Sequence, residues 1–209
     1  MNIGICLTGI SYSNHGRLRD FRKTYQNFND MIFNPLSKNN NVTTYVTTYP
    51  HEHTEELIST YKPKKHYYVP LGNSYSRVTY MHGLCLVEDE DLDVIVSTRF
   101  DISFKEKITD MNIDYSKFNF LFKEKNMWDS YRFITDNFFV FPKNFLYPFT
   151  EAIEIANIES NKEKWTFMLH NVYNPLANII GENNIHIIHP EVQQFSHDNT
   201  YYKLERTEV

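Results

Sequence analysis

The clearest chemistry in this sequence lies in Arg99-Phe100-Asp101, a triplet that closes an apolar run. A carboxylate is a hard oxygen donor suited to Mn2+ or Mg2+, and a guanidinium presents a planar fork matching phosphate oxygens. Together they suit a phosphorylated ligand bridged by a cation. The competing reading is a strand-end ion pair between Arg99 and a neighbouring acid. A literal Asp-x-Asp, Asp91-Leu92-Asp93, precedes the same run. The extended residues between it and Asp101 span roughly 20 Å, so the two cannot share one ion. Ligands of open α/β sheets bind beyond the carboxyl ends of the strands, which favours Asp101 and leaves Asp91 and Asp93 to a solvated acidic turn.

Further basic residues could meet phosphates. Arg77 could add a second guanidinium fork, with a structural salt bridge as the equal alternative. Arg17, Arg19, Arg22 and Lys23 gather positive charge where a first helix is expected to begin, and amide donors there also favour an anion. Only Arg17 is early enough for that role, and the alternative is a basic solvated face, which accounts for some of these four. A dinucleotide fingerprint and a P-loop are both excluded, because the six Gly never fall at those spacings and no Gly-Lys-Ser/Thr occurs.

The elements that must position these groups alternate between β-branched runs and helical stripes, the pattern of an α/β protein. Strands are expected over Ile3 to Leu7, Val42 to Thr48, His66 to Val69, Val94 to Val96, Phe118 to Phe122, Phe138 to Phe141 and Ile185 to Ile188. Val94-Ile95-Val96 is continuously apolar, as in a central strand covered on both faces. A turn-prone loop spans Thr8 to Gly16. Leu18, Phe21, Tyr25, Phe28, Ile32 and Leu36 predict a helix from Arg17 onward. Other helices are expected over Thr54 to Tyr61, from a Ser74 cap to about Val87, over Phe145 to Ala156, and over Glu163 to Ile180 with an interruption at Pro175. A chain of 209 residues reads as a single domain spanning 1-209, complete or cut from a larger protein.

A net charge of −5 excludes a sequence-nonspecific nucleic-acid binder, which needs a basic surface. No basic leader and no long apolar stretch occur, so a transmembrane segment is not expected and a cytoplasmic location is. Two distant cysteines, Cys6 and Cys85, read as reduced buried thiols. Sixteen Phe and fifteen Tyr serve mostly as core filler, although rings in a cleft also stack on bases and sugars.

The run Asp93 to Asp101, followed by Asp136-Asn137-Phe138-Phe139-Val140-Phe141, resembles small GT-A-fold glycosyltransferases, including domains encoded by large DNA viruses of the chlorella virus type. The resemblance implies a central, mostly parallel mixed sheet flanked by helices, and a viral protein in the host cytoplasm. It implies transfer of a sugar from a nucleoside-diphosphate donor, a UDP-sugar, to a glycan or glycoprotein acceptor. Asp101 would then bind Mn2+ or Mg2+ at the donor diphosphate, with Arg99, Arg77 or Arg17 on the phosphates. The cation would stabilise the charge gained by the departing diphosphate. Thr8 and Gly9 would hold the base and ribose through backbone groups. His189 would supply a further metal ligand after the last strand, whereas His186, His51 and His53 read as structural or exposed.

The acceptor hydroxyl must lose a proton, for which Asp136 is the first candidate base and Asp129 the second. Trp128 and Tyr131 could stack on a sugar face, although an ordinary core role is the leading reading for both. A sugar-phosphate nucleotidyltransferase would use the same sheet edge but usually needs a Gly-rich loop and a Lys after the first strand. A non-catalytic carbohydrate-binding module would use the aromatic surface alone. Donor sugar, acceptor, stereochemical outcome and oligomeric state are not specified by these residues.

Overall fold

A computed structural model describes residues 1–70, 76–163, 168–193 and 197–208. In chain order these form β1 (Asn2–Thr8), β2 (Tyr12–Ser13), β3 (Arg17–Asp20), α1 (Arg22–Phe28), a wider π turn (Asn29–Phe33), α2 (Asn34–Ser37), β4 (Asn41–Thr48), α3 (Thr54–Tyr61) and β5 (Lys65–Tyr68). There follow α4 (Ser76–Cys85), β6 (Val94–Arg99), β7 (Ile102–Phe104), β8 (Phe118–Glu124), α5 (Trp128–Tyr131), β9 (Phe138–Pro142) and α6 (Leu146–Glu163). The chain ends with a 3-10 turn (Met168–Asn171), α7 (Tyr173–Ile180), β10 (Ile185–Gln193), β11 (Tyr202–Leu204) and β12 (Arg206–Glu208). Two compact units result, residues 1–111 with 197–209, and residues 112–196.

The main sheet of the first unit has β1 between β6 and β4, with β5 beyond β4, all parallel. Ile3, Ile5, Cys6 and Leu7 of β1 and Val94, Ile95 and Val96 of β6 are buried without alternation, as strands covered on both faces require. Helix α4 packs on β1 and β4. The register sets Thr8 beside both Thr47 and Arg99, so the carboxyl ends of β1, β4 and β6 are level.

Residues 197–208 return to this unit and supply two partner strands. β11 pairs antiparallel with β7, and β12 pairs antiparallel with β3, which also pairs with β2. The expected helix from Arg17 therefore starts later. Arg17–Asp20 is strand, and α1 begins at Arg22. Leu18 fits the helical spacing by coincidence, because the strand partner is nearly 190 residues away in sequence.

In the second unit β8 lies between β10, parallel to it, and β9, antiparallel. The phenylalanine run packs this core. Phe118 stacks on Phe141 with centroids 4.8 Å apart, and Phe149 of α6 approaches both rings. Each fully buried ring contributes roughly 1.5–3 kcal/mol, so most of the aromatic richness is structural. Pro175 falls in the first turn of α7, where its missing N–H costs nothing, and so does not interrupt that helix.

The architecture is α/β, with mostly parallel main strands flanked by helices. No helix among the described residues is long and apolar enough to cross a membrane. Cys6 is buried as expected, whereas Cys85 is exposed at the end of α4. Ser74, the expected helix cap, lies outside the described residues.

Candidate functional site

Asp101 stands in the turn between β6 and β7, at the carboxyl edge of the parallel sheet. Its side chain is almost fully buried and both carboxylate oxygens are occupied. Nε of Arg99 donates to Oδ1 at 3.0 Å and Nη2 to Oδ2 at 2.8 Å, and Nε of Arg19 donates to Oδ2 at 3.0 Å. Burial pushes the Asp101 carboxyl upward, but the Arg99 and Arg19 guanidiniums outweigh it and hold the group below its ordinary value. The backbone is fixed as well. The N–H of Glu205 donates to the Asp101 carbonyl at 2.8 Å, and the Thr24 hydroxyl donates to the Phe100 carbonyl at 2.5 Å.

A third guanidinium joins this pair. Arg206 is opposite Arg19 in the β12–β3 register, and cross-strand partners lie on one face of the ribbon. Its Nε is buried without a hydrogen-bond partner, and no ion pair joins it to a described acid. Burial lowers its pKa to about 10, and repulsion from Arg99, Arg19 and Arg17 adds to this against the pull of Asp101. A buried donor left unsatisfied costs about 1–3 kcal/mol. Arg17 shares the Arg19 face but is exposed on β3, not at a helix start, so the anion-favouring amides expected around it are absent from that position. Arg77 is half-buried near the start of α4.

At the same edge Thr8 is buried, and its hydroxyl reaches the Thr98 carbonyl at 3.5 Å. Gly9 has φ +101, and its N–H continues the ladder to the Thr47 carbonyl at 3.1 Å. The amide expected to hold a ribose or base is thus spent on the sheet. Beside it lies a polar network built on His51, a residue that sequence reasoning took as exposed. The His53 N–H donates to Nδ1 of His51 at 3.1 Å, which places the hydrogen of the neutral His51 ring on Nε2. Nε2 then donates to Oγ of Ser11 at 2.8 Å, and that hydroxyl is free to donate to Oγ1 of Thr48 at 2.8 Å. Burial, then the neighbouring His53, lowers the His51 pKa.

Asp91-Leu92-Asp93 takes no part in this edge. Oδ2 of Asp93 accepts from the N–H of Asn2 at 2.7 Å, at the amino ends of β1 and β6.

In the second unit Asp136 precedes β9 with its carboxylate largely covered, and Nε2 of His170 faces Oδ1 at 3.6 Å. Nδ1 of His170 lies 2.7 Å from the Ile134 carbonyl, so that nitrogen carries a hydrogen and the ring is fixed from its other side. Asp129 is exposed on α5. Trp128 is engaged by Tyr173 edge-on at 5.0 Å, with Nζ of Lys123 over its ring at 4.9 Å, which removes much of the face expected for a sugar. Tyr131 remains well exposed. His189 is not beyond the last strand. β10 continues through a bulge to Gln193, and His189 pairs with Phe122 in its interior.

These residues do not fit a resident divalent cation at Asp101. Its carboxylate is almost fully buried between two guanidiniums whose charge opposes a cation, and the described residues contain no group of three His, Cys, Asp or Glu side chains that could hold a metal ion. The strand-end ion pair is what forms. Three participants escaped sequence reasoning: Arg19, grouped with the basic residues at an expected helix start; Arg206, late in the sequence; and His170, inside an expected helix. Only the alternation Arg17-Leu18-Arg19, a strand period with both arginines on one side, carried a local signal. Compared with known families and curated proteins, the chain matches no family model and no curated sequence.

Proposed function

We propose that this chain is a glycosyltransferase of the GT-A kind that takes a sugar from a nucleoside-diphosphate donor, a UDP-sugar, to a glycan or glycoprotein acceptor. The observation that carries the reading is the cluster of Arg19, Arg99 and Arg206 around Asp101, just past the carboxyl end of β6 and level with Thr8 of β1. Ligands of parallel α/β sheets sit beyond that edge, and guanidinium forks there match diphosphate oxygens. Asp136 is the carboxylate assigned to take the acceptor proton, with His170 as its positioning residue. The residues gathered at Asp101 supply no step through a bound metal.

The test is a panel of nucleotide sugars scored for thermal stabilisation and for the nucleotide released, each with and without Mn2+, since a specific ligand raises stability by mass action. The reading expects one UDP-sugar to stabilise the chain and to yield UDP. Release of pyrophosphate from a nucleoside triphosphate and a sugar phosphate would instead make it a nucleotidyltransferase. Glycan binding with no response to any nucleotide would make it a carbohydrate-binding module.

A further inference from the structure

We propose that Arg206, together with Arg19 and Arg99, holds the donor diphosphate directly, as a guanidinium site standing where a divalent cation would otherwise bridge the phosphates. The inference rests on the donor reading above and specifies how that site meets the charge of its ligand.

Four features support it. Asp101 is almost fully buried, accepts three guanidinium hydrogen bonds and has two positive charges beside it, which together disfavour a cation on its carboxylate. Arg206 is held in place by the β12–β3 pairing, with the adjacent Glu205 N–H bonded to the Asp101 carbonyl, yet its Nε is buried without a partner. The fold therefore spends backbone hydrogen bonds on fixing a guanidinium that no described acid pairs with. Arg19 and Arg206 stand opposite each other, and with Arg99 they set three guanidiniums against the single carboxylate of Asp101, a positive excess that a further anion would relieve. The place is the sheet edge at which α/β proteins bind phosphorylated ligands. An Arg fork bonds phosphate oxygens in pairs, a role open to Arg206, while Asp101 takes the Nε–Nη2 fork of Arg99 and Nε of Arg19 and so holds their positive charge in place beside the ligand. Asp101 is in this view a clamp on two arginines.

The experiment measures binding of inorganic phosphate, inorganic pyrophosphate and UDP to the full chain by titration calorimetry, in EDTA and again with Mn2+. Pyrophosphate and UDP are expected to bind in EDTA, more tightly than phosphate. Arg206→Gln is expected to weaken both by about 10- to 100-fold, the size of one or more lost charge-assisted hydrogen bonds. Arg206→Lys, which keeps the charge and loses the fork, should fall between. The unliganded Arg206→Gln protein should melt no lower than the parent, because a guanidinium repelled by Arg99 and Arg19, with a buried unbonded Nε, has been removed; this separates loss of a ligand contact from loss of fold. Binding that appears only with Mn2+, or an Arg206→Gln chain that binds like the parent, overturns the proposal. If pyrophosphate binds in EDTA but no nucleotide sugar is turned over, the transferase reading falls and the anion site stands. If turnover requires Mn2+ and ignores Arg206→Gln, the reverse holds.

Discussion

Arg19 and Arg206 face one another across β3 and β12, and Arg19 bonds the buried carboxylate of Asp101, which two guanidiniums share. Opposed like charges in an antiparallel pair cost a fraction of a kcal/mol to about 1 kcal/mol. The pairing is nonetheless kept, between segments at opposite ends of the sequence. That makes the Asp101 cluster a closure point of the first unit.

Asp101→Asn should therefore destabilise whether or not metal is present. Removing one partner of a buried ion pair leaves uncompensated charge and costs about 3–5 kcal/mol. Urea unfolding of parent and variant in EDTA and in Mn2+ checks this. Equal losses are expected in both, and a loss confined to Mn2+ would restore Asp101 as a metal ligand.

Gly83 of α4 is held against Thr8. A Cβ at position 83 would lie 2.6 Å from Cγ2 of Thr8. Gly83→Ala should cost about 1–3 kcal/mol through overpacking. Thr8→Ser removes that methyl, so the double variant should recover much of the loss, a coupling that a double-mutant cycle measures. Simple addition of the two losses would mean that the contact does not set the α4–β1 spacing.

His51 gives the fold a sensitivity to mild acid. Its folded pKa is lowered from the ordinary value of 6.5, chiefly by burial, so the unfolded chain binds the proton more readily. The stability it contributes is complete above that ordinary value and is lost as pH falls below it. Melting temperatures between pH 8 and pH 5 should drop less steeply in His51→Gln than in the parent.

Glu90 acts in a lower window. Hydrogen bonds from Lys64 and Lys65, with a further one from the Tyr45 hydroxyl, bring its pKa down to about 2. Its contribution is present above the ordinary carboxylate value near 4.5 and disappears as pH falls toward about 2. Glu90→Gln should be less stable than the parent at pH 7, and the two should converge near pH 2 in an acid-unfolding series.

For the proposed transfer, Asp136→Asn should lower kcat by about 10²- to 10⁴-fold, the range for loss of a general base, with donor affinity retained. His170→Gln should lower kcat less and shift the pH profile of turnover, since it acts through Asp136. Steady-state kinetics across pH on both variants, with the identified UDP-sugar, supplies the comparison. Unchanged kcat in Asp136→Asn would remove that residue from the chemistry.

Much of the framework was legible locally. The continuous burial of Val94 to Val96, the β-branched run from Val42 to Thr48 and the spacing of Thr54 to Tyr61 each state their element in a window of a few residues, because solvent exclusion imposes a period on neighbours in sequence. Sheet polarity alone also separated Asp101 from Asp93, which the structure places at opposite ends of β6. The partners of Asp101 were another matter. Arg19 was drawn into a helical stripe by Leu18, and Arg206 has no meaning until β12 returns to pair with β3. His170 likewise meets Asp136 only through the turn after α6. Local pattern fixes which face of an element is apolar, whereas ion pairs are decided by contacts between distant segments, and those exist only once the chain has closed. The sequence by itself thus determined an α/β sheet with a charged triplet at its carboxyl edge; the tertiary structure decided that the carboxylate in that triplet would be bound by arginines.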